Sequence, residues 1–237
     1  MKNDSLTKTP IPVDKIDKDQ RCKLAIELLE EQVAEARKKL HYWREVTGQP
    51  AQVDTGYIAQ HLVSIISGIL GDRMRGKGDD LVDGSEVKSA NFLDSLDKKG
   101  RIAPRWNFNS NNKRIMRGYL KVPKIFLVSL DWNSEQRFRA KVWRLDPDVH
   151  DVFKARYEEW MEKKGLPKLK DPRRPDANFQ LFPPRPGREE NYARHGSVRK
   201  GELRPIKIYL DKVEGAALIF HAEENREGKV KSLVFNP

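Results

Sequence analysis

A chain of 237 residues, 38% hydrophobic and 34% charged, can build one large domain or one domain with an appendage. Its net charge of +11 points to a polyanionic partner or an anionic surface, and no run of about 18 apolar residues is present to span a bilayer. The single cysteine, Cys22, excludes an internal disulfide framework and any zinc finger of two or more cysteines. Met1-Lys-Asn-Asp-Ser lacks the apolar core of a signal peptide, so a cytoplasmic protein that faces nucleic acid, and no membrane, is expected.

Residues 1 to 19, with lysines, aspartates and two prolines, read as a flexible arm, and 20–237 as a single domain. Ile26, Leu29, Val33, Ala36, Leu40 and Trp43 recur at spacings of three and four and predict an amphipathic helix of about 25 residues. Gly48 and Pro50 end it. Its stripe suits packing on its own core or on a second copy. A second helix begins at Asp54 or Thr55 and turns Ile58, Leu62, Ile65, Ile66 and Ile69 inward, with Gln60 and His61 beside the stripe. Glycines at 68, 71, 76 and 78 lead on, with Arg73, Arg75 and Lys77 available to a phosphate backbone or to solvent.

The chemistry-bearing stretch follows. Asp79 and Asp80 stand on a short apolar run, Asp83-Gly84 makes a hairpin turn, and Glu86-Val87-Lys88 runs back. Alternation puts Glu86 and Lys88 on one face and Val87 on the other. A two-residue turn sets Asp79 opposite Lys88, and a loop one residue longer sets Asp80 there instead. Either register gathers two carboxylates and one ammonium. Hard carboxylates suit Mg²⁺, which takes only one or two of them and keeps several waters. A metal-bound water and a lysine beside it suit phosphodiester hydrolysis, with Asp80, Glu86 and Lys88 as catalytic residues and Asp79, Asp80 and Glu86 as candidate metal ligands. The bland alternative is a surface ion pair. Acidic-x-Lys also occurs at Asp97, Glu162 and Glu227, but only the copy at Glu86 has an apolar middle residue and an acidic strand upstream.

Asp80 … Glu86-Val87-Lys88 resembles the Asp … Glu-x-Lys signature of the PD-(D/E)xK nuclease superfamily, with Asp79 where the family's name has proline. A wider likeness runs from Asp54-Thr-Gly-Tyr-Ile-Ala-Gln-His-Leu62 through Gly76–Leu81 and Asp83–Ser89 to Pro104-Arg-Trp-Asn107. It is similar to the MamI-type restriction endonucleases. The resemblance implies an α/β (α+β) fold, with a mixed sheet flanked by helices. It also implies Mg²⁺-dependent, sequence-specific cleavage of double-stranded DNA by a homodimer in a bacterial or archaeal cytoplasm.

Beyond Lys88, the stretch Arg105-Trp-Asn-Phe-Asn-Ser-Asn-Asn-Lys-Arg114 reads as a polar loop without periodicity, able to touch a groove through Arg105 and Asn107. Pro123–Asp131 reads as a buried strand and Gln136–Leu145 as a half-exposed one, joined by a hairpin at Trp132–Glu135. Asp146-Pro147-Asp148 predicts a helix start, with Val149, Val152, Phe153, Tyr157, Trp160 and Met161 inward and Gly165 and Pro167 as the stop. From Lys164 to Arg204 the chain holds 11 Lys plus Arg against 5 Asp plus Glu, and six prolines. This basic excursion offers forked donors at Arg173, Arg174, Arg185, Arg188, Arg194 and Arg199, and carboxamides at Asn178 and Gln180 that match adenine. Asn178–Phe182 is apolar enough to dock on the core. Pro205–Leu210 and Lys229–Phe235 read as strands, and Val213–His221 as an ambiguous apolar run. The readings weighed against a restriction enzyme are a structure-selective nuclease of the same fold and a non-catalytic basic DNA-binding protein.

Overall fold

The computed structural model describes residues 10–72, 80–94, 104–197 and 203–237. Asp79, Arg199, Arg73, Arg75 and Lys77 lie outside the described residues. The first helix begins at Lys18, where the Asp17 carboxylate accepts the Gln20 N–H at 2.9 Å. It runs as α1 (Lys18–Leu29), a π-helical stretch (Glu30–Glu35) and α2 (Ala36–Thr47), and ends at Gly48 with φ 73°. The predicted stripe is split. Leu29 and Val33 are buried, whereas α2 buries nothing and Trp43 is 55% exposed. The i→i+5 bonding of the π-helical stretch turns the following residues off the earlier face, and a periodicity count at 3.6 cannot see that insertion. Helix α3 (Gly56–Ser67) follows, with Ala59, Leu62, Val63 and Ile66 buried and Gly68 ending it in the left-handed region.

Five strands form the central sheet in the order β1 (Glu86–Asn91), β3 (Ile125–Trp132), β4 (Phe138–Leu145), β8 (Ala216–Glu224) and β9 (Val230–Phe235). β1 is parallel to β3 and the other pairs are antiparallel, the mixed α/β layout expected from the sequence. Period-two alternation sorts the strands' side chains into two cores. Val87, Phe126, Val128 and Val142 pack with α1 and α3, while Ile125, Leu127, Trp143 and Leu145 meet an aromatic layer on the other face.

That second layer contains α5 (Asp151–Trp160) and the antiparallel ribbon of β2 (Trp106–Ser110) with β5 (Ala177–Leu181). Residues 106–110 are therefore a strand, not the loop expected. Trp106 and Phe108 alternate with Asn107 and Asn109, a period of two hidden by its polar half. The expected docking of Asn178–Phe182 is present: Phe179 is fully buried, with ring centroids 5.7 Å from Phe108, 4.8 Å from Tyr157 and 5.4 Å from Trp160. Such pairs each add about 0.5–1.5 kcal/mol beyond area burial, which fixes the ribbon on the body.

α5 starts later than expected. Asp146–His150 form a turn on the Asp146 carbonyl, and His150 Nδ1 caps the helix by accepting the Phe153 N–H at 3.2 Å. Phe153, Tyr157 and Trp160 face inward as expected, but Val149 and Val152 are exposed. Nor does Gly165 stop the helix. It continues through a π-helical turn (Met161–Gly165) into α6 (Leu166–Leu169). A Cβ at Gly165 would stand 2.9 Å from the Met116 sulfur, so this glycine serves close packing. The short helix α4 (Lys113–Gly118) links β2 to the sheet, and β6 (Tyr192–His195) pairs with β7 (Ile206–Tyr209) outside it.

Candidate active site

Asp80–Val82 do not form a ladder with Glu86–Lys88 among the described residues. Asp72 N–H donates to the Asp80 carbonyl at 3.1 Å and Val82 N–H to Leu70 at 3.0 Å, so residues 80–82 pair with 70–72. A turn at Asp83-Gly84 (φ 87° at Gly84) then delivers the chain to β1, whose ladder partner is β3. Asp80 reaches β1 with its side chain instead. Its Oδ2 accepts the Val87 N–H at 2.7 Å, and its Oδ1 accepts from Gln60 Nε2 at 2.5 Å. Gln60 is thus a site residue that its polar position beside the α3 stripe did not reveal.

Glu86 and Lys88 share the face of β1 that meets the aromatic layer, and their side chains form an ion pair, 14% and 16% exposed. The Lys88 ammonium sits 5.9 Å from the Phe108 ring centroid and 5.4 Å from that of Tyr119. Burial works to lower the Lys88 pKa, but Glu86, Tyr119 and Asp80 outweigh it and hold the group above the ordinary lysine value. Burial raises the Tyr119 pKa, Glu86 and Asp80 add to the rise, and Lys88 opposes it. Tyr119 OH donates to the Asn109 carbonyl at 3.1 Å, which ties the floor under Lys88 to the ribbon.

Asp80 and Glu86 line a polar cleft of about 1330 Å³ together with Tyr57, Gln60, Asn109, Asn112, Arg114, Lys121 and Asn178. Through Asp54, Gly56 and Ser89 the cleft continues into a second depression of about 640 Å³ lined by Asn91, Arg105 and Asn107. Gln180 lies opposite Asn107 on the ribbon and accepts from Arg105 Nη1 at 2.6 Å. Four of the predicted DNA-binding residues are therefore gathered on or beside one ribbon.

The other arginines sit elsewhere. Arg173 pairs with Asp171 at 3.2 Å, its side chain 87% exposed, and Arg174 adjoins it in the same turn. Arg194 donates to Glu190 at 2.6 Å and to the Pro183 carbonyl at 2.5 Å, so its fork is engaged within the protein. The Arg185 side chain stands 3.9 Å from the same glutamate. Arg188 is exposed, and its carbonyl accepts from Arg139 at 3.3 Å. Arg139 also holds Asp131 by two bonds, at 2.8 and 3.0 Å. Asp131 is four residues along β3 from Leu127, the partner of Lys88, a distance of about 13 Å. Arg188 is thus fastened to the sheet well away from Glu86.

The carboxylates fit a hard divalent cation. Asp80 is fixed by two donors yet keeps lone pairs on both oxygens, and Glu86 stands beside it in the same cleft. Among the described residues no group of three His, Cys, Asp or Glu could hold a metal. Two carboxylates with water completing the shell is the pattern Mg²⁺ prefers.

A family model of the MamI restriction endonuclease matches residues 42–222, a span that holds Asp80, Glu86, Lys88 and both strands of the ribbon. The type II restriction enzyme MamI of Microbacterium ammoniaphilum is 35% identical over 182 residues, covering 70% of this chain and 55% of that enzyme. The chain thus spans about half the length of this relative. No solved structure matches. No helix among the described residues is long and apolar enough to cross a membrane. With most of its length inside the family match, the chain belongs to the MamI restriction endonuclease family.

Proposed function

We propose that the protein is a Mg²⁺-dependent, sequence-specific endonuclease that hydrolyses phosphodiester bonds in double-stranded DNA. The observation that carries this is the meeting of Asp80 and Glu86 in the wall of a polar cleft, with the buried Lys88 ammonium paired to Glu86. When bound, Mg²⁺ supplies an acidified water and neutralises charge on the phosphate in flight. Asp80 and Glu86 would hold it, with Gln60 and the Val87 N–H aiming the Asp80 carboxylate. The Lys88 ammonium orients the attacking water and offers positive charge to the phosphate. Arg114 and Lys121 on the cleft rim suit contacts with the DNA backbone. Incubation with a mixed-sequence plasmid and Mg²⁺, followed by mapping of the fragment ends, tests the reading. Discrete ends with one shared sequence are expected. Binding without cleavage would favour a non-catalytic DNA-binding protein, and cleavage confined to branched or damaged DNA a structure-selective nuclease.

Gln60→Ala should weaken the Mg²⁺ requirement's apparent affinity or the rate by about 10- to 100-fold, because it removes one of the two donors that aim Asp80. A Mg²⁺ titration of cleavage checks it: a shifted midpoint, partly recovered at saturating metal, is the expected result.

The protein should act as a homodimer on DNA. The catalytic Asp … Glu-x-Lys arrangement occurs once in the chain, and cutting both strands of a two-fold symmetric site calls for two copies. Light scattering or sedimentation of the cognate complex should give two chains per duplex, and a mass of one chain per duplex would count against it.

A further inference from the structure

We infer that the base-reading element is the exposed face of the β2–β5 ribbon, and that the opposed carboxamides of Asn109 and Asn178 recognise adenine. This rests on the reading of the cleft as a duplex-DNA site. The ribbon's two faces are sharply different. Trp106, Phe108, Phe179 and Leu181 are buried against the body, while Asn107 and Asn109 on one strand oppose Gln180 and Asn178 on the other. Four carboxamides therefore stand in two rungs on one surface. Asparagine is depleted from strands, and a merely solvated face would be better served by threonine. The stacking is thus a cost that propensity does not explain.

The two rungs differ in availability. Gln180 is held by Arg105 at 2.6 Å. The side chains of Asn109 and Asn178 make no hydrogen bond to the protein among the described residues, although both line the cleft that holds Asp80 and Glu86. Directly opposed residues place their Cβ atoms about 4.5–5.5 Å apart, so the two amides present donors and acceptors side by side. A two-stranded ribbon enters the major groove, which is about 12 Å wide, and a carboxamide there pairs with the N6 donor and N7 acceptor of adenine. Phe179, between Asn178 and Gln180 in sequence and buried among the rings of Phe108, Phe153, Tyr157, Trp160 and His195, makes the mount rigid.

The test uses the full chain and the duplex mapped from its own cleavage, with Ca²⁺ replacing Mg²⁺ so that binding is read alone. Asn109→Ala and Asn178→Ala are each titrated on that duplex and on copies carrying 7-deazaadenine, which lacks N7, at one adenine at a time. At one adenine, the substitution and the side chain should cancel. Each variant should bind the natural duplex about 5- to 160-fold more weakly, yet lose little on the copy already altered at its own position. Asn109→Ser and Asn178→Ser, with unfolding curves, separate this from misfolding. Equal losses on every duplex, or no loss at all, overturn the inference while leaving the nuclease reading intact. Absence of any preferred site in the wild-type protein overturns both.

Discussion

Lys88→Ala is expected to lower cleavage by at least about 100-fold while binding of the cognate duplex survives. The lysine stands among Glu86, Asp80 and two aromatic rings, away from the ribbon's outer face, and in the proposed reaction it acts on the water and the phosphate rather than on the bases. Binding in Ca²⁺ and single-turnover cleavage in Mg²⁺ on the same duplex separate the two effects. Asp80→Ala should remove cleavage and metal dependence together, since it deletes the carboxylate whose Oδ2 also meets the Val87 N–H. Asp79→Ala run beside it decides between the two acidic neighbours. Normal cutting by the Asp80 variant with an inactive Asp79 variant would transfer the ligand role to Asp79, and full activity in Lys88→Ala would remove the nuclease assignment from this strand.

The largest loss of stability is expected away from the cleft, at Arg139. This side chain is 1% exposed and clamps Asp131, itself 3% exposed, with two bonds, then reaches Glu189 at 2.8 Å. Truncation to alanine strands the Asp131 carboxylate without its counter-charge, a change that costs about 3–5 kcal/mol. For a chain of this size that corresponds to a melting temperature lower by roughly 6–20 °C. Glu189→Ala should cost less than about 1 kcal/mol, because that side chain is 72% exposed and its pairing is screened. Urea unfolding of both variants checks the contrast. A double replacement of Asp131 and Arg139 by apolar residues of similar volume should recover most of the loss, since the stranded charge disappears with its partner.

The strand bounds are legible, since Ile125–Trp132, Phe138–Leu145 and Val230–Phe235 lie close to those expected, but Phe138–Leu145 is buried on both faces where its alternation predicts a half-exposed strand. The shared face of Glu86 and Lys88 was legible from strand alternation. Three features were not. A π-helical insertion leaves no mark in a periodicity count, so the outward turn of Tyr42 and Trp43 was hidden. The ribbon strand Trp106–Ser110 reads like a loop because three of its five residues are asparagine or serine. The link from Asp80 to β1 runs through a side chain, and turn signals report only on backbone pairing. Gln60 and Tyr119 join the site from α3 and from the chain just after α4, a convergence that only the assembled fold provides.

One consequence concerns self-association. Among the described residues β1 is a sheet edge: the N–H groups of Glu86 and Phe92 point to Lys124 and Leu130, which leaves those of Val87, Ser89 and Asn91 facing outward. Such a row invites a strand from another molecule and is the usual seed of aggregation. Here Asp80 takes the Val87 N–H at 2.7 Å, and the Asn91 side chain grips the Val53 carbonyl at 3.2 Å. An anion therefore stoppers the edge at the same place where it would bind metal. Asp80→Asn keeps an acceptor for Val87 and should stay monodisperse on warming, whereas Asp80→Ala opens the row and should form thioflavin-positive aggregates sooner. Loss of solubility would then accompany loss of chemistry in one variant and not in the other.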